Sequence, residues 1–480
     1  MRFPESSMKA LYLSLAIFAI ALLAGPQIVG ALNSTALSGT ATPIKHIVFL
    51  IQENHTYDNM FGVYPGTPNG YGLNVNICVP QSGGGCVKPF NADNLPIVQA
   101  TDIPHTSTAA HMSYSNGAMN GFVNAAPKHP TFPMAYYTGK VIPNYWDLAQ
   151  YYSLNDLFMS SALSFSLPNH LYTVAAQAGM ADKCTGLCQT PYNLTFADIG
   201  TAMTKAGVSW GYYQYNWNDK LDCTGEYTRT YVNSNTHGGY DGFWSGEADF
   251  RAVQLAKTSC SSLLNYNDLQ NAISSNTLPG VSWIIPQPST SEHPQQSTWA
   301  QGQAYTTSVI NAIEQSPAWS STVIYLTWDD YGGYYDGVVP MQIDQYGMGM
   351  RVPLIAISPY SIQGQVLQAP QYSYGSGQTA QEDFSAFLST IEYNWHLSPL
   401  THRDAVEPNL FYMLNFNQAP LKTLVLGSSG VVYPYTTCVA QGHCSFASPA
   451  KLVQLYSPPV SATNESVSQA LNNSGTDATD

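Results

Sequence analysis

Ile44-Lys45-His46-Ile47-Val48-Phe49-Leu50-Ile51 runs straight into Gln52-Glu53-Asn54-His55. An unbroken apolar run without alternation is the pattern of a strand buried on both faces, as in a parallel sheet lying between helices. Three later stretches read the same way, at residues 281–285, 323–328 and 354–357. Helical patterns fall between them at 144–152, 169–178, 305–315 and 381–395. Alternating strand and helix patterns predict an α/β fold of three layers, α/β/α, with a mostly parallel central sheet. In such a sheet ligands bind beyond the carboxyl ends of the strands, so those ends are where chemistry is expected.

Polar residues stand at each of these ends. The first strand leads into Glu53 and Asn54, the third into Asp329-Asp330-Tyr331-Gly332-Gly333, and the second into a loop carrying Glu292-His293. Two adjacent carboxylates at one strand end repel each other, so either a compensating cation keeps both ionised or one stays protonated. Glu53, Asn54, Asp329 and Asp330 offer hard oxygen donors that suit one divalent metal ion, with Ca, Mg, Mn, Fe and Zn all open. Taken singly, a carboxylate after a strand is more often a helix cap or a solvated loop residue. Ser166-Leu167-Pro168-Asn169-His170 opens a helical run, with Pro168 in the first turn. Ser166 there is either a cap or a nucleophile, since a helix N-terminus favours an anion and a hydroxyl on a cation loses its proton more readily. His105, His293 and His237 are candidate partners for a phosphoryl oxygen or a leaving group, with His111 and His170 placed behind them.

The chain has 480 residues, 30 acidic and 16 basic side chains, and a net charge of −14, which excludes a binder of nucleic-acid backbone. Apolar residues at 44% are ample for a core and exclude disorder throughout. Only 10% of residues are charged while 33 are Tyr. A surface hydrated without ionising suits an acidic medium, although an ordinary secreted protein with a polar uncharged surface has the same composition. Residues 1–31, with Arg2 and Lys9 ahead of an apolar run, Gly25-Pro26 and then Val29-Gly30-Ala31, read as a secretory signal peptide; an uncleaved anchor is the other reading. Export to the cell exterior or surface agrees with eight Cys, which pair most simply as 78–86, 184–188, 223–260 and 438–444. No paired Cys-x-x-Cys supports a zinc site instead. Asn33, Asn193, Asn464 and Asn472 lie in glycosylation sequons. A linker at 32–42, a main domain at 43–417, a small disulfide-closed appendage at 418–456 and a disordered polar tail at 457–480 complete the expected layout.

Residues 44–62, ending Asn54-His55-Thr56-Tyr57-Asp58-Asn59-Met60-Phe61-Gly62, resemble the opening signature of the phosphoesterase family of bacterial-type phospholipases C and metal-dependent acid phosphatases. Ser166-Leu167-Pro168-Asn169 resembles that family's nucleophile segment, residues 328–336 its metal segment, and residues 351–360 the strand that follows. The resemblance implies an alkaline-phosphatase-like fold and a metal-dependent phosphoester site. It implies Glu53, Asn54, Asp329 and Asp330 as metal ligands, Ser166 as a nucleophile also touching the metal, and His105 and His293 as phosphate-binding or leaving-group histidines, with a looser match at His237. Two positions depart from the phospholipase-like pattern: Ser166 stands where Thr is common, and His170 where Arg is common.

The expected activity is hydrolysis of a phosphate ester through a phosphorylated Ser166, with histidines binding phosphate best below about pH 6.5. The Ser nucleophile and short C-terminal region favour an acid phosphatase over a phospholipase C, which would also touch membrane lipid. An inactive surface binding protein would be expected to lack ligands that are all present here. A sulfatase would carry an Arg in the 166–170 segment, which is absent.

Overall fold

A computed structural model of the protein describes residues 39–427, except 69, 95–101, 180–193, 215–249, 251–252, 254–259, 371, 375–377 and 380. The signal segment, the polar tail, the four sequons, His237 and Cys184, Cys188, Cys223, Cys438 and Cys444 lie outside the described residues. Eight strands form the central sheet: β1 (His46–Gln52), β2 (Ser153–Asn155), β3 (Trp210–Tyr213), β4 (Leu263–Leu264), β5 (Val281–Ile284), β6 (Thr322–Trp328), β7 (Leu354–Ile357) and β8 (Gln365–Leu367). Their order is β8-β2-β7-β6-β1-β5-β3-β4. From β6 to β4 every neighbouring pair is parallel. β7 runs antiparallel to both β6 and β2, and β2 is parallel to β8, so β7 alone opposes the other seven. The apolar run at 354–357 was expected as one more parallel strand. It is central and fully buried as expected, but reversed, because an apolar run encodes burial on both faces and not direction.

β1 sits mid-sheet, and Ile47 to Ile51 have no exposed surface. Phe49 stacks on Phe387 at 4.1 Å between centroids and meets Trp283 at 5.6 Å and Tyr325 at 5.9 Å. One ring therefore joins β1, β5, β6 and a helix on one face. The helices that matter for the site are α1 (Tyr57–Phe61), α2 (Ser107–Tyr114), α3 (Pro143–Tyr151), α4 (Ser166–Ala175), α5 (Trp299–Glu314) and α6 (Ser385–Trp395). α5 starts at a capping box, in which Thr298 and Gln301 satisfy each other's backbone donors. Leu424 and Leu426 are buried, and Asn311 exchanges hydrogen bonds with the Leu426 backbone at 2.7 and 3.1 Å. Cys78 and Cys86 are disulfide-bonded, as their spacing predicts, and Cys260 is also bonded.

Arg351, with no exposed surface, fixes the loop after β6 to α1. Its Nε donates to Asp336 at 2.9 and 3.1 Å, and one Nη donates to Asp58 at 3.0 Å. The other Nη donates to the carbonyls of Tyr71 and Asp156 at 2.8 and 3.0 Å. Removing one member of a buried ion network strands the others in a low-dielectric interior. Arg351→Met is therefore expected to cost about 3–5 kcal/mol in chemical denaturation. Adding Asp336→Asn should recover part of that loss; a double variant no more stable than the single would contradict the coupling.

Candidate active site

The site is built where β1 and β6 end side by side. Gln52 is in register with Trp328, so Glu53 and Asp329 emerge from adjacent strands. The Asp329 N–H donates to the Gln52 carbonyl at 3.0 Å, and the Asn54 N–H donates to Asp329 Oδ1 at 2.9 Å. Asn54 holds a left-handed φ of 63°, turning the chain sharply off β1. Gly332, at φ 57°, passes so close that a Cβ there would lie 2.3 Å from the Asn54 carbonyl oxygen. Glycine is required at that crossing on both counts. The Gly332 N–H also donates to Asp330 Oδ1 at 2.7 Å, leaving Oδ2 to face the nucleophile.

Ser166 is the first residue of α4, and Phe165 occupies the cap without a side-chain bond. The hydroxyl therefore does not cap the helix. It donates instead to Glu53 Oε2 at 3.1 Å and lies 3.3 Å from Asp330 Oδ2. Asn169, one turn on, clamps the preceding loop. Its Oδ1 accepts from the N–H groups of Ser161 and Ala162 at 2.9 and 3.0 Å, and its Nδ2 donates to the Ser164 and Phe165 carbonyls at 3.3 and 3.1 Å.

His170 was placed behind the other histidines in the sequence, yet it belongs to this cluster. Its Nε2 lies 3.1 Å from Glu53 Oε1 and 3.8 Å from Asp329 Oδ2, with no exposed surface. The signal was present: positions i and i+4 share a helix face, so His170 points where Ser166 points. Burial draws His170 down to about 4 against the pull of Asp329.

Glu53 and Asp330 are held well above the ordinary carboxyl range, in each case by burial first and then by the charge of Asp329. Asp329 Oδ2 is buried without a hydrogen-bond partner. Three buried carboxylates, an orphaned oxygen and one imidazole nitrogen make a donor set that a divalent cation fits. Glu53, His170 and Asp329 offer ligand atoms within 4.8 Å of one another.

His105 and His293 stand on the other side of Asn54. With its carboxamide oxygen towards them, Asn54 accepts from His105 Nε2 at 3.3 Å and His293 Nε2 at 3.0 Å, while its nitrogen donates to Glu53 Oε2 and Asp329 Oδ1 at 3.2 and 3.1 Å. Each histidine presents Nδ1 to a backbone carbonyl at 2.7 Å, Ile103 for one and Pro294 for the other. Burial pulls His105 down, but Asp102, Asp330, the Ile103 carbonyl and Asp329 outweigh it and hold it up at about 9. His293 is lowered, by burial first and with His105 adding to it against Asp102. Asp102, 3.4 Å from His105 Nδ1, had not been singled out in the sequence. Glu292, next to His293, turns away from the site: Tyr145 and Trp328 donate to its two oxygens. Asn54-His55-Thr56 also matches a glycosylation sequon, but Asn54 is fully buried and is not a glycan site.

The site thus gathers Glu53, Asn54, Ser166, Asp329, Asp330, His105 and His293 from five distant segments. A phosphoesterase model matches residues 44–398, and the chain belongs to the Phosphoesterase family. It is a hydrolase acting on phosphoester bonds. Phospholipase C A of Mycobacterium tuberculosis is 28% identical over 396 residues, covering 70% of this chain and 72% of that one. Non-hemolytic phospholipase C of Burkholderia pseudomallei is 25% identical, covering 70% of this chain and 54% of its own length. Among solved structures, a protein in the alkaline phosphatase superfamily from Vibrio parahaemolyticus overlaps 73% of this chain and 66% of its own, at TM-score 0.34 and 9% identity.

Proposed function

We propose that the protein is an exported, metal-dependent phosphomonoesterase of the acid phosphatase type that works through a phosphoserine at Ser166. The observation that carries this reading is the Ser166 hydroxyl lying between Glu53 and Asp330 at the first turn of α4. Glu53, Ser166, Asp329 and Asp330, with His170 beside them, would hold one divalent ion, and Asn54 would join them with its carboxamide turned so that the oxygen faces the carboxylates. Such an ion supplies charge neutralisation for a phosphoryl group and lowers the pKa of a serine hydroxyl.

Ser166 Oγ gives up its proton to water and attacks phosphorus. The first-turn N–H groups of α4 receive phosphoryl oxygens, where the helix dipole favours negative charge. His105, held cationic, binds a further oxygen, and His293 donates a proton to the departing alkoxide. Because His293 is lowered, its protonated form belongs to acid solution, which supports an acid optimum. Water then releases phosphate from Ser166.

A second reading, phospholipase C, is favoured by the names of the relatives. The two separate on p-nitrophenyl phosphate against p-nitrophenyl phosphorylcholine. Faster phosphate release from the monoester is expected; faster cleavage of the diester, yielding phosphocholine, would replace the first reading by the second.

A further inference from the structure

A cavity of about 240 Å³ is lined by Ser107 and His111 of α2, by Ala162, Leu163 and Ser164 of the turn before α4, and by Gln345 and Tyr346. Two of its walls are chain neighbours of the site. Ser107 is two residues from His105, and Ser164 is two residues from Ser166. Two residues span at most about 7 Å, so the Cα atoms of these two wall residues lie within that distance of those of His105 and Ser166. Its walls are fixed rather than loose. Buried Arg403 donates to the Ser161 and Gly347 carbonyls at 3.0 and 2.6 Å, tying the turn to the loop that carries Gln345. The Leu163 N–H also donates to the Tyr346 carbonyl at 3.4 Å.

The lining decides what the cavity receives. It offers hydroxyls, a carboxamide, an imidazole and one aromatic ring, but no carboxylate. The nearest acid along the chain, Asp344, already accepts from the Tyr346 and Gly347 N–H groups at 2.8 and 3.1 Å. A quaternary ammonium group is recognised by several aromatic faces or by a carboxylate, and neither is among the described lining residues. A space of about eight water volumes holds a small alcohol of roughly ten non-hydrogen atoms.

We propose that this cavity is the subsite for the alcohol part of the substrate and selects a small hydroxyl-bearing alcohol of the glycerol type over choline. The assignment rests on the phosphoesterase reading of Ser166. Donors and acceptors at Ser107, His111 and Gln345 meet the hydroxyls of such an alcohol, and a trimethylammonium group leaves them unpaired.

The test compares glycerol 3-phosphate with phosphocholine, two monoesters with alcohols of similar size, on the metal-loaded full chain. The wild-type kcat/KM is expected to be about tenfold higher for glycerol 3-phosphate, the worth of one or two neutral hydrogen bonds. Gln345→Leu and His111→Leu, both at exposed positions, should each shrink that ratio by about three- to tenfold. Equal or faster turnover of phosphocholine, or a ratio unmoved in both variants, overturns the subsite while the phosphoesterase reading stands. No phosphate from either ester or from p-nitrophenyl phosphate overturns that reading itself.

Discussion

Ser166→Ala is expected to lower phosphate release by about 10⁴-fold or more, with the fold intact. The side chain is small and nearly buried, at 4% exposed, so Ala fits its place without a clash. Its hydroxyl makes no helix cap, because Phe165 holds that position. Stability should therefore change by no more than about 1–3 kcal/mol, since only hydrogen bonds to neighbouring carboxylates are lost. Loss of kcat in a variant that still unfolds cooperatively at a similar midpoint separates a nucleophile from a structural serine. A variant retaining near wild-type turnover would remove Ser166 from the chemistry.

The second large effect concerns pH and stability. Glu314 and Glu382 are buried, and burial raises both to about 8, while hydrogen bonds from Tyr152 and Tyr412 only partly oppose it. Glu292 stands at about 8 for the same first reason. One oxygen of Glu314 and one of Glu382 have no hydrogen-bond partner. An unfolded Glu titrates near 4.3, so the folded state binds these protons more tightly. Their contribution is complete below about pH 4 and is lost as pH rises towards 8. Each group acting fully removes about 1.4 kcal/mol per pH unit in that window, so even one lowers stability by about 3 kcal/mol between pH 5 and 7. Denaturant midpoints should thus be higher at pH 5 than at pH 7, and Glu314→Gln should flatten the slope. A midpoint that rises from pH 5 to 7 would contradict this. The low charge of the sequence suits an acidic medium by a different route, hydration of the surface rather than burial of carboxyl groups, and suits an ordinary secreted protein equally.

The sequence made the strand ends legible because a parallel sheet writes itself as apolar runs that stop abruptly at polar residues. Glu53, Asp329 and Asp330 follow such runs, and the structure brings them together. The direction of β7 was not legible, since a strand buried on both faces looks alike either way. His170 was undervalued because its neighbours in sequence are not its neighbours in space; the four-residue spacing from Ser166 carried the information. Glu292 illustrates the opposite case. It stands beside His293 in the chain, yet its left-handed backbone, φ 70°, turns the carboxyl towards Tyr145 and Trp328. Asp102 lies 3.4 Å from His105 in an irregular segment that no periodic pattern marks.

The central claim is that one cation gathers the oxygen donors around Ser166. A difference electron-density map from crystals of the active protein, with anomalous scattering to identify any metal heavier than Mg, tests it most directly. The expected result is a single peak about 2.0–2.6 Å from carboxylate oxygens of Glu53, Asp329 and Asp330, within reach of Ser166 Oγ. Crystals that turn over substrate yet show no peak among those oxygens would contradict it.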